Sequence, residues 1–230
     1  MKRKIIITED GSSSIYVEDL NEHYHSIHGA IQESEHIFIK SGLFSDRLSS
    51  LDTISILEIG FGTGLNALLT YFSAIEIQKQ INYTAVELYP ITHKELQLLN
   101  YAEKLPYQDA DKVISLIHNS AWEKCELINN HFTIFKHKIS ALEIQFPENT
   151  FDLVYFDAFS PTTQPELWTK SLFEKIHNSM KQNAVFVTYS TKGDVKRALK
   201  QVGFCIEKLK GPVGKREILR GITFKKNANH

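Results

Sequence analysis

Two hydrophobic periods alternate along the chain. Apolar runs at 54–59, 82–88, 151–156 and 183–189 read as short strands buried on both faces. Between them apolar residues recur every three or four positions. Leu65, Leu68, Leu69 and Phe72 form one such set, and Leu96 with Leu99 another. Leu172, Phe173, Ile176 and Met180 make a third, and Val195, Ala198, Leu199 and Val202 a fourth. Each set marks one face of a helix. Residues 111–130 read as irregular helix anchored by Trp122. Residues 132–139 alternate, with Phe132, Ile134 and Lys136 on one side, which predicts another strand. Residues 204–209 and 217–224 have no helix between them and read as a closing pair of strands. Strand and helix in alternation predict an α/β fold with a mostly parallel sheet covered on both faces.

The first 50 residues precede this alternation. Residues 4–8 and 14–17 flank Glu9-Asp10-Gly11-Ser12, and Asp-Gly is a hairpin turn signal. A helix is expected over 30–41. Residues 1–50 are therefore read as a hairpin and lid extension, 51–225 as the main domain, and 226–230 as a disordered tail. His23, His25 and His28 lie close together in this extension, but no Cys or His cluster downstream has ligand spacing. No metal is expected.

The chemistry begins where the first buried strand ends. Glu58 is followed by Gly60, Phe61, Gly62, Gly64 and Asn66, and then by the first helical period. Strand, glycine turn and helix open a Rossmann-like nucleotide-binding unit. No lysine follows the glycines, which excludes a triphosphate-binding loop. The third glycine comes one residue early for a dinucleotide fingerprint, which counts against a nicotinamide-dependent oxidoreductase. Glu87 lies near the end of the next strand, about 20 residues on, where an acid takes ribose hydroxyls. Asp157 ends a later strand. Ligands in open α/β sheets sit outside the carboxyl ends of strands, so Asp157 belongs at the mouth of the site. The stretch 158–168 carries Pro161 and Pro165 and cannot form regular helix. Trp168 within it is read as packing.

Composition changes the picture in two ways. Hydrophobic residues make up 42% of 230, ample for a core, yet no apolar run reaches the roughly 18 residues of a membrane span. With two cysteines and no signal peptide, the expected location is the cytoplasm. The net charge of −1 hides an asymmetry: residues 192–230 hold 11 Lys/Arg against 3 Asp/Glu, or +8, and the rest hold 15 against 24, or −9. A basic end on an acidic body suggests a polyanionic partner.

These residues resemble a known family. Glu58 to Asn66 resembles the first motif of S-adenosylmethionine (SAM)-dependent methyltransferases of the Rossmann-like class I. Asp157-Ala158-Phe159-Ser160-Pro161 with Pro165-Glu166-Leu167-Trp168 resembles the D-x-F-x-P-x-x-x-P-x-x-W segment of the MnmC/MnmD-like tRNA methyltransferases. Gly211 to Glu217, the surroundings of Tyr24, and Glu33 resemble the same family. The resemblance implies a class I fold with a seven-stranded mixed sheet. It implies SAM as cofactor, held by Glu58, Gly60, Phe61, Gly62, Gly64, Asn66, Glu87 and Asp157. It also implies the reaction: N-methylation of the aminomethyl group on carbon 5 of a tRNA wobble uridine. Many family members carry a fused oxidase domain, and this chain is expected to stand alone. Where the family often has an acid near adenine, this chain has Lys138, which cannot accept a bond from the adenine amino group. Either backbone supplies that contact or adenine is held differently.

On this reading Asp157 is catalytic, relaying the ammonium proton and aiming the nitrogen. Phe159 and Pro161 shape a dry pocket for the base, and Tyr24 completes it. Lys192, Lys196, Arg197, Lys210, Lys215 and Arg216 would hold phosphates of the anticodon arm. The alternatives are a small-molecule amine methyltransferase, a polyamine-synthase-like aminopropyl transferase, or a non-catalytic RNA-binding module on the same fold.

Overall fold

A computed structural model describes residues 1–224, so the tail expected to be disordered lies outside the described residues. The N-terminal part contains β1 (Arg3–Ile7), β2 (Ser13–Val17), β3 (Glu22–His23) and α1 (Ala30–Ser34). Then follow β4 (Thr53–Ile59), α2 (Leu65–Glu76), β5 (Gln80–Val86), α3 (His93–Leu96), α4 (Tyr101–Lys104) and α5 (Ala110–Asn119). The second half holds β6 (Cys125–Asn129), β7 (Phe132–His137), β8 (Phe151–Phe156), α6 (Lys170–Ser179), β9 (Met180–Thr188), α7 (Gly193–Gln201), β10 (Phe204–Lys210) and β11 (Glu217–Thr223).

The main sheet runs β10-β11-β9-β8-β4-β5-β7-β6. Its five central strands are parallel. Antiparallel hairpins close both edges. The α/β Rossmann-like class is as expected, but the sheet has eight strands rather than seven. The extra one is β6, inside the stretch read as irregular helix. Its burial does not alternate cleanly, because it is an edge strand with little to cover. Its turn, however, carried a signal: the Asn129 side chain accepts from the His131 amide at 2.8 Å, an Asx turn between β6 and β7.

Alternation along the strands fills two cores. Ile54 and Ile56 face one side with Leu68, Tyr83, Ile134 and Tyr155. Leu57 and Ile59 face the other with Val154, Phe156, Phe173 and Leu199. The helix expected at 30–41 is α1 running directly into a π-helical segment, Glu35–Leu43. That segment lies on the sheet: Ile37, Phe38 and Leu43 are buried in the first core. Gly42 permits the approach, since a Cβ there would stand 3.2 Å from Tyr155 and Val187 side-chain atoms. The helix expected after Pro90 is only two single turns. Asn100, between them, is taken up by the hairpin, accepting from the Ser13 amide at 2.7 Å and donating to the Gly11 carbonyl at 3.0 Å.

β1, β2 and β3 form a small antiparallel sheet across the carboxyl ends of the main strands. Arg3 donates to the Tyr89 and Pro90 carbonyls. Glu22 accepts from the Ser160 hydroxyl at 2.8 Å and the Thr163 hydroxyl at 2.6 Å. The extension is therefore stitched to two loops of the main domain. Among the described residues no helix is long and apolar enough to cross a membrane.

Lys136 points inward, as the alternation of β7 requires, and is 1% exposed. Its ammonium donates at 2.8 Å to the Ile117 and His118 carbonyls, at the C-terminal end of α5 where a cation is favoured. It also lies 4.8 Å from the centre of the Trp122 ring. Burial pulls its pKa down to about 8. Replacing Lys136 by Ala should destabilise the fold by about 2–4 kcal/mol, measured by urea denaturation, through a cavity and two carbonyls stripped of a donor.

Candidate active site

Two strand ends define the site. β4 leads into the β4–α2 loop (60–64), and β8 leads into Asp157. These strands are neighbours at the point where the sheet's connections reverse direction, the standard location for a ligand. The Asp157 amide donates to the Ile59 carbonyl at 2.9 Å. Gly60 has φ +90°, and a Cβ there would lie 2.5 Å from the Asp157 carbonyl oxygen. Only glycine lets the two loops meet.

Above this contact is a cavity of about 430 Å³. Glu87 stands on one wall with both oxygens anchored. One accepts from the Gly62 amide at 3.0 Å, the other from the Tyr89 amide at 2.7 Å. Each oxygen keeps capacity for a further donor. Residues 139–142 line the same end, and Lys138 does not. A glycine cradle, an anchored acid facing inward and an apolar strip suit an adenosyl group joined to an amino acid, and the residues present fit SAM.

Asp157 stands on the opposite wall. Its Oδ2 accepts from the Asn66 amide nitrogen at 2.9 Å, and that same nitrogen bonds Glu58 Oε1 at 2.9 Å. Burial, with the nearby Glu33 charge adding to it, pushes the Asp157 pKa up to about 7. Asn66 and Lys215 oppose the rise. Tyr24 and Phe159 pack edge to face with centroids 5.2 Å apart and line the cavity beside it. Trp168 is buried and donates to the Phe159 carbonyl at 2.8 Å, fixing that loop as packing.

Of the expected site residues, Gly60, Phe61, Gly62, Asn66, Glu87, Asp157, Tyr24, Phe159 and Lys215 line this one cavity. Glu58 does not. It is 0% exposed beneath α2, and burial raises its pKa well above the carboxylate range. It holds Asn66 from beneath and does not line the cavity. Gly64 caps α2 and Pro161 sits in the loop, both away from the lining. Lys192, Arg197, Lys210 and Arg216 are exposed outside the cavity, and Lys196 is half-buried. Arg197 pairs with Asp194, and Lys192 reaches the Thr162 hydroxyl. Lys215 was expected among the phosphate-facing cations, yet it points inward to Glu33. Sequence reasoning gave Glu33 and Tyr189 no role at the site, although both line the cavity. The three N-terminal histidines do not converge. His23 packs on Tyr16, His25 Nδ1 meets the Ser14 hydroxyl, and His28 pairs with Glu9.

Glycine cradle, ribose-type acid and switch-point sheet define a Rossmann-like transferase that uses an adenosyl cofactor. The chain belongs to the S-adenosyl-L-methionine-dependent methyltransferase family whose profile matches residues 93–223. It is 32% identical to the tRNA 5-methylaminomethyl-2-thiouridine biosynthesis bifunctional protein MnmC of Nitrosospira multiformis, covering 91% of this chain and 35% of that protein. The protein of the same name from Marinomonas sp. is 30% identical, covering 93% and 32%. The chain thus spans about a third of the length of these curated relatives. In structure it is similar to MnmC2 from Aquifex aeolicus, with a TM-score of 0.81 and 24% identity over 97% of this chain and 70% of that one. Spermidine synthase from Thermotoga maritima gives 0.52 and 13% over 94% and 69%. Both likenesses are of fold.

The raised pKa of Asp157 has a stability consequence. Below its unfolded value of 3.8 the carboxyl is neutral in both states and costs nothing. Between 3.8 and about 7 the carboxyl ionises in the unfolded chain but resists doing so in the folded site, so stability falls across that window and levels off above it. Asn at this position stays neutral. The Asp157→Asn variant should therefore melt at a higher temperature than wild type at pH 8, with the gap closing toward pH 4 in scanning calorimetry.

Proposed function

We propose that this protein transfers a methyl group from SAM to the amino nitrogen of a 5-aminomethyl substituent on the wobble uridine of tRNA, giving the methylaminomethyl form. One observation carries the reading: a carboxyl whose pKa lies near 7, between aromatic walls, opposite a cradle fit for SAM. The names of the MnmC relatives supply the acceptor.

A primary alkylamine is mostly an ammonium at neutral pH and has no lone pair to attack with. Asp157 is placed to take that proton. Asn66 occupies Oδ2, which leaves Oδ1 for the amine. A base with a pKa near the working pH is a good match for this task. SAM, when bound, supplies the electrophilic methyl group. Glu87 would accept from its ribose hydroxyls, and the backbone of Gly60 to Gly62 would cradle its amino-acid end. Tyr24 and Phe159 would clamp the uracil and exclude water. The rest of the work is holding nitrogen and methyl in line. A base unstacked from a single-stranded loop reaches such a pocket cheaply, which favours the anticodon loop.

The Asp157→Asn variant should bind SAM within about threefold of wild type by calorimetry. Its methyl transfer should fall by about 10²–10⁴-fold, read as methylaminomethyluridine by mass analysis of nucleosides from undermodified tRNA. Absence of that product with wild type would reject the reading. An aminopropyl product instead would move the protein to the polyamine-synthase class.

We place tRNA phosphates on the exposed cations Lys192, Arg197, Lys210 and Arg216 and on the half-buried Lys196. Substituting Lys210 and Arg216 together by Ala should weaken tRNA binding and reduce the slope of log affinity against log salt by about 1–2, measured by filter binding. SAM affinity should not change.

A further inference from the structure

The strongest unused feature is a charge cluster on the acceptor side of the cavity. Glu33, from α1, is 7% exposed and lines it. One of its oxygens accepts from the Ser26 amide at 2.7 Å, and the other pairs with the Lys215 ammonium. Lys215 lies on the loop between β10 and β11, which the Gly211 amide closes by donating to the Arg216 carbonyl at 3.1 Å. Its ammonium sits 5.1 Å from the centre of the Tyr189 ring. Tyr189 in turn donates to the Ala158 carbonyl at 2.9 Å, next to Asp157.

We propose that Glu33 and Asp157 together form a two-carboxylate receptor for the acceptor's ammonium group, with Lys215 as its resident counter-cation. This rests on the reading that the acceptor is an amine.

Counting charges supports it. Asp157 faces Glu33, Lys215, Glu58 of β4, Tyr83 of β5, and Tyr189. Burial keeps both tyrosines neutral and pushes the Glu58 carboxyl upward, toward its neutral form. His25, which faces Glu33 and Lys215, is pulled down to about 4 by burial and is neutral as well. Glu22, Glu87, Glu166 and Met1 also line the cavity; backbone amides bond Glu87, the Ser160 and Thr163 hydroxyls bond Glu22, and the Met1 amine pairs with Asp19. Glu33, Lys215 and Asp157 are the groups that act on one another on this side. Lys215 is paired with Glu33, so Asp157 in its ionised form has no cation of its own, and buried charges need partners. An alkylammonium supplies one. A neutral substituent does not, and one bearing a carboxylate is repelled, so the cluster selects as well as binds. Once the substrate's proton passes to Asp157, the neutral amine stays beside Glu33 and Lys215.

Glu33→Gln and Lys215→Met test this on the full chain with aminomethyl-bearing tRNA. Removing the Glu33 charge should move the acid limb of the kcat/KM profile to lower pH by roughly one unit, the scale of a neighbouring charge. Removing Lys215 should move it to higher pH. Glu33→Gln should also raise KM for the tRNA about tenfold with SAM affinity intact, and Glu33→Asp should restore part of the loss. Opposite shifts of the limb cannot come from a merely structural role. Limbs coinciding with wild type, or moving the same way in both variants, would overturn the receptor. If Glu33→Gln fails to bind SAM in calorimetry and so to fold, the Lys215→Met profile decides alone. Should wild type leave the tRNA unmethylated, the functional reading falls and the receptor with it. If wild type methylates but the variants match it, only the receptor falls.

Discussion

One close approach sets the geometry of this protein: the end of β4 against the end of β8. The Asp157 amide reaches the Ile59 carbonyl, and Gly60 has no side chain to keep the loops apart. Everything catalytic follows from that contact. It puts the backbone of residues 60–62 and the Asp157 carboxyl on facing walls of one cavity. It also lets a single side-chain nitrogen, that of Asn66, tie Asp157 on the cavity wall to Glu58 in the core. Glu58 is thus part of the support for the site rather than of its lining. A buried acid fixes an amide, and the amide fixes the carboxyl that lines the cavity.

The central sheet was legible because its strands are buried on both faces and its helices on one. Those two periods leave a pattern that needs no tertiary knowledge. Residues 54–59 and 151–156 follow it closely. β6 was not legible, because an edge strand has neither face fully covered. The segment after Pro90 departs from its expected single helix for a different reason. Asn100 spends its side chain on the N-terminal hairpin, a contact 87 residues away along the chain.

Part of the cavity lining was legible for a comparable reason. Glycines and acids at strand ends have fixed places in a sheet of this kind, so spacing alone locates Gly60, Glu87 and Asp157. Tyr24 and Phe159, expected to shape the base pocket, line the same cavity, but the pairing of Glu33 with Lys215 was not legible, because nothing local marks it. Glu33 reads as one polar position on a helix, and Lys215 as one more cation in a basic segment. Their meaning comes from being neighbours in space, which only the fold arranges.

That pairing joins positions 182 residues apart. Closing so long a loop carries an entropy cost that neighbouring residues do not share. The two halves of the site therefore differ in how they are built. The wall at Gly60–Gly62 depends on strands at the middle of the sheet, while the wall at Glu33 and Lys215 depends on the loop of the last hairpin meeting the first helix. That hairpin also supplies Ile218, Leu219 and Ile222 to the two cores, so the strands that complete this wall complete the packing of the sheet as well.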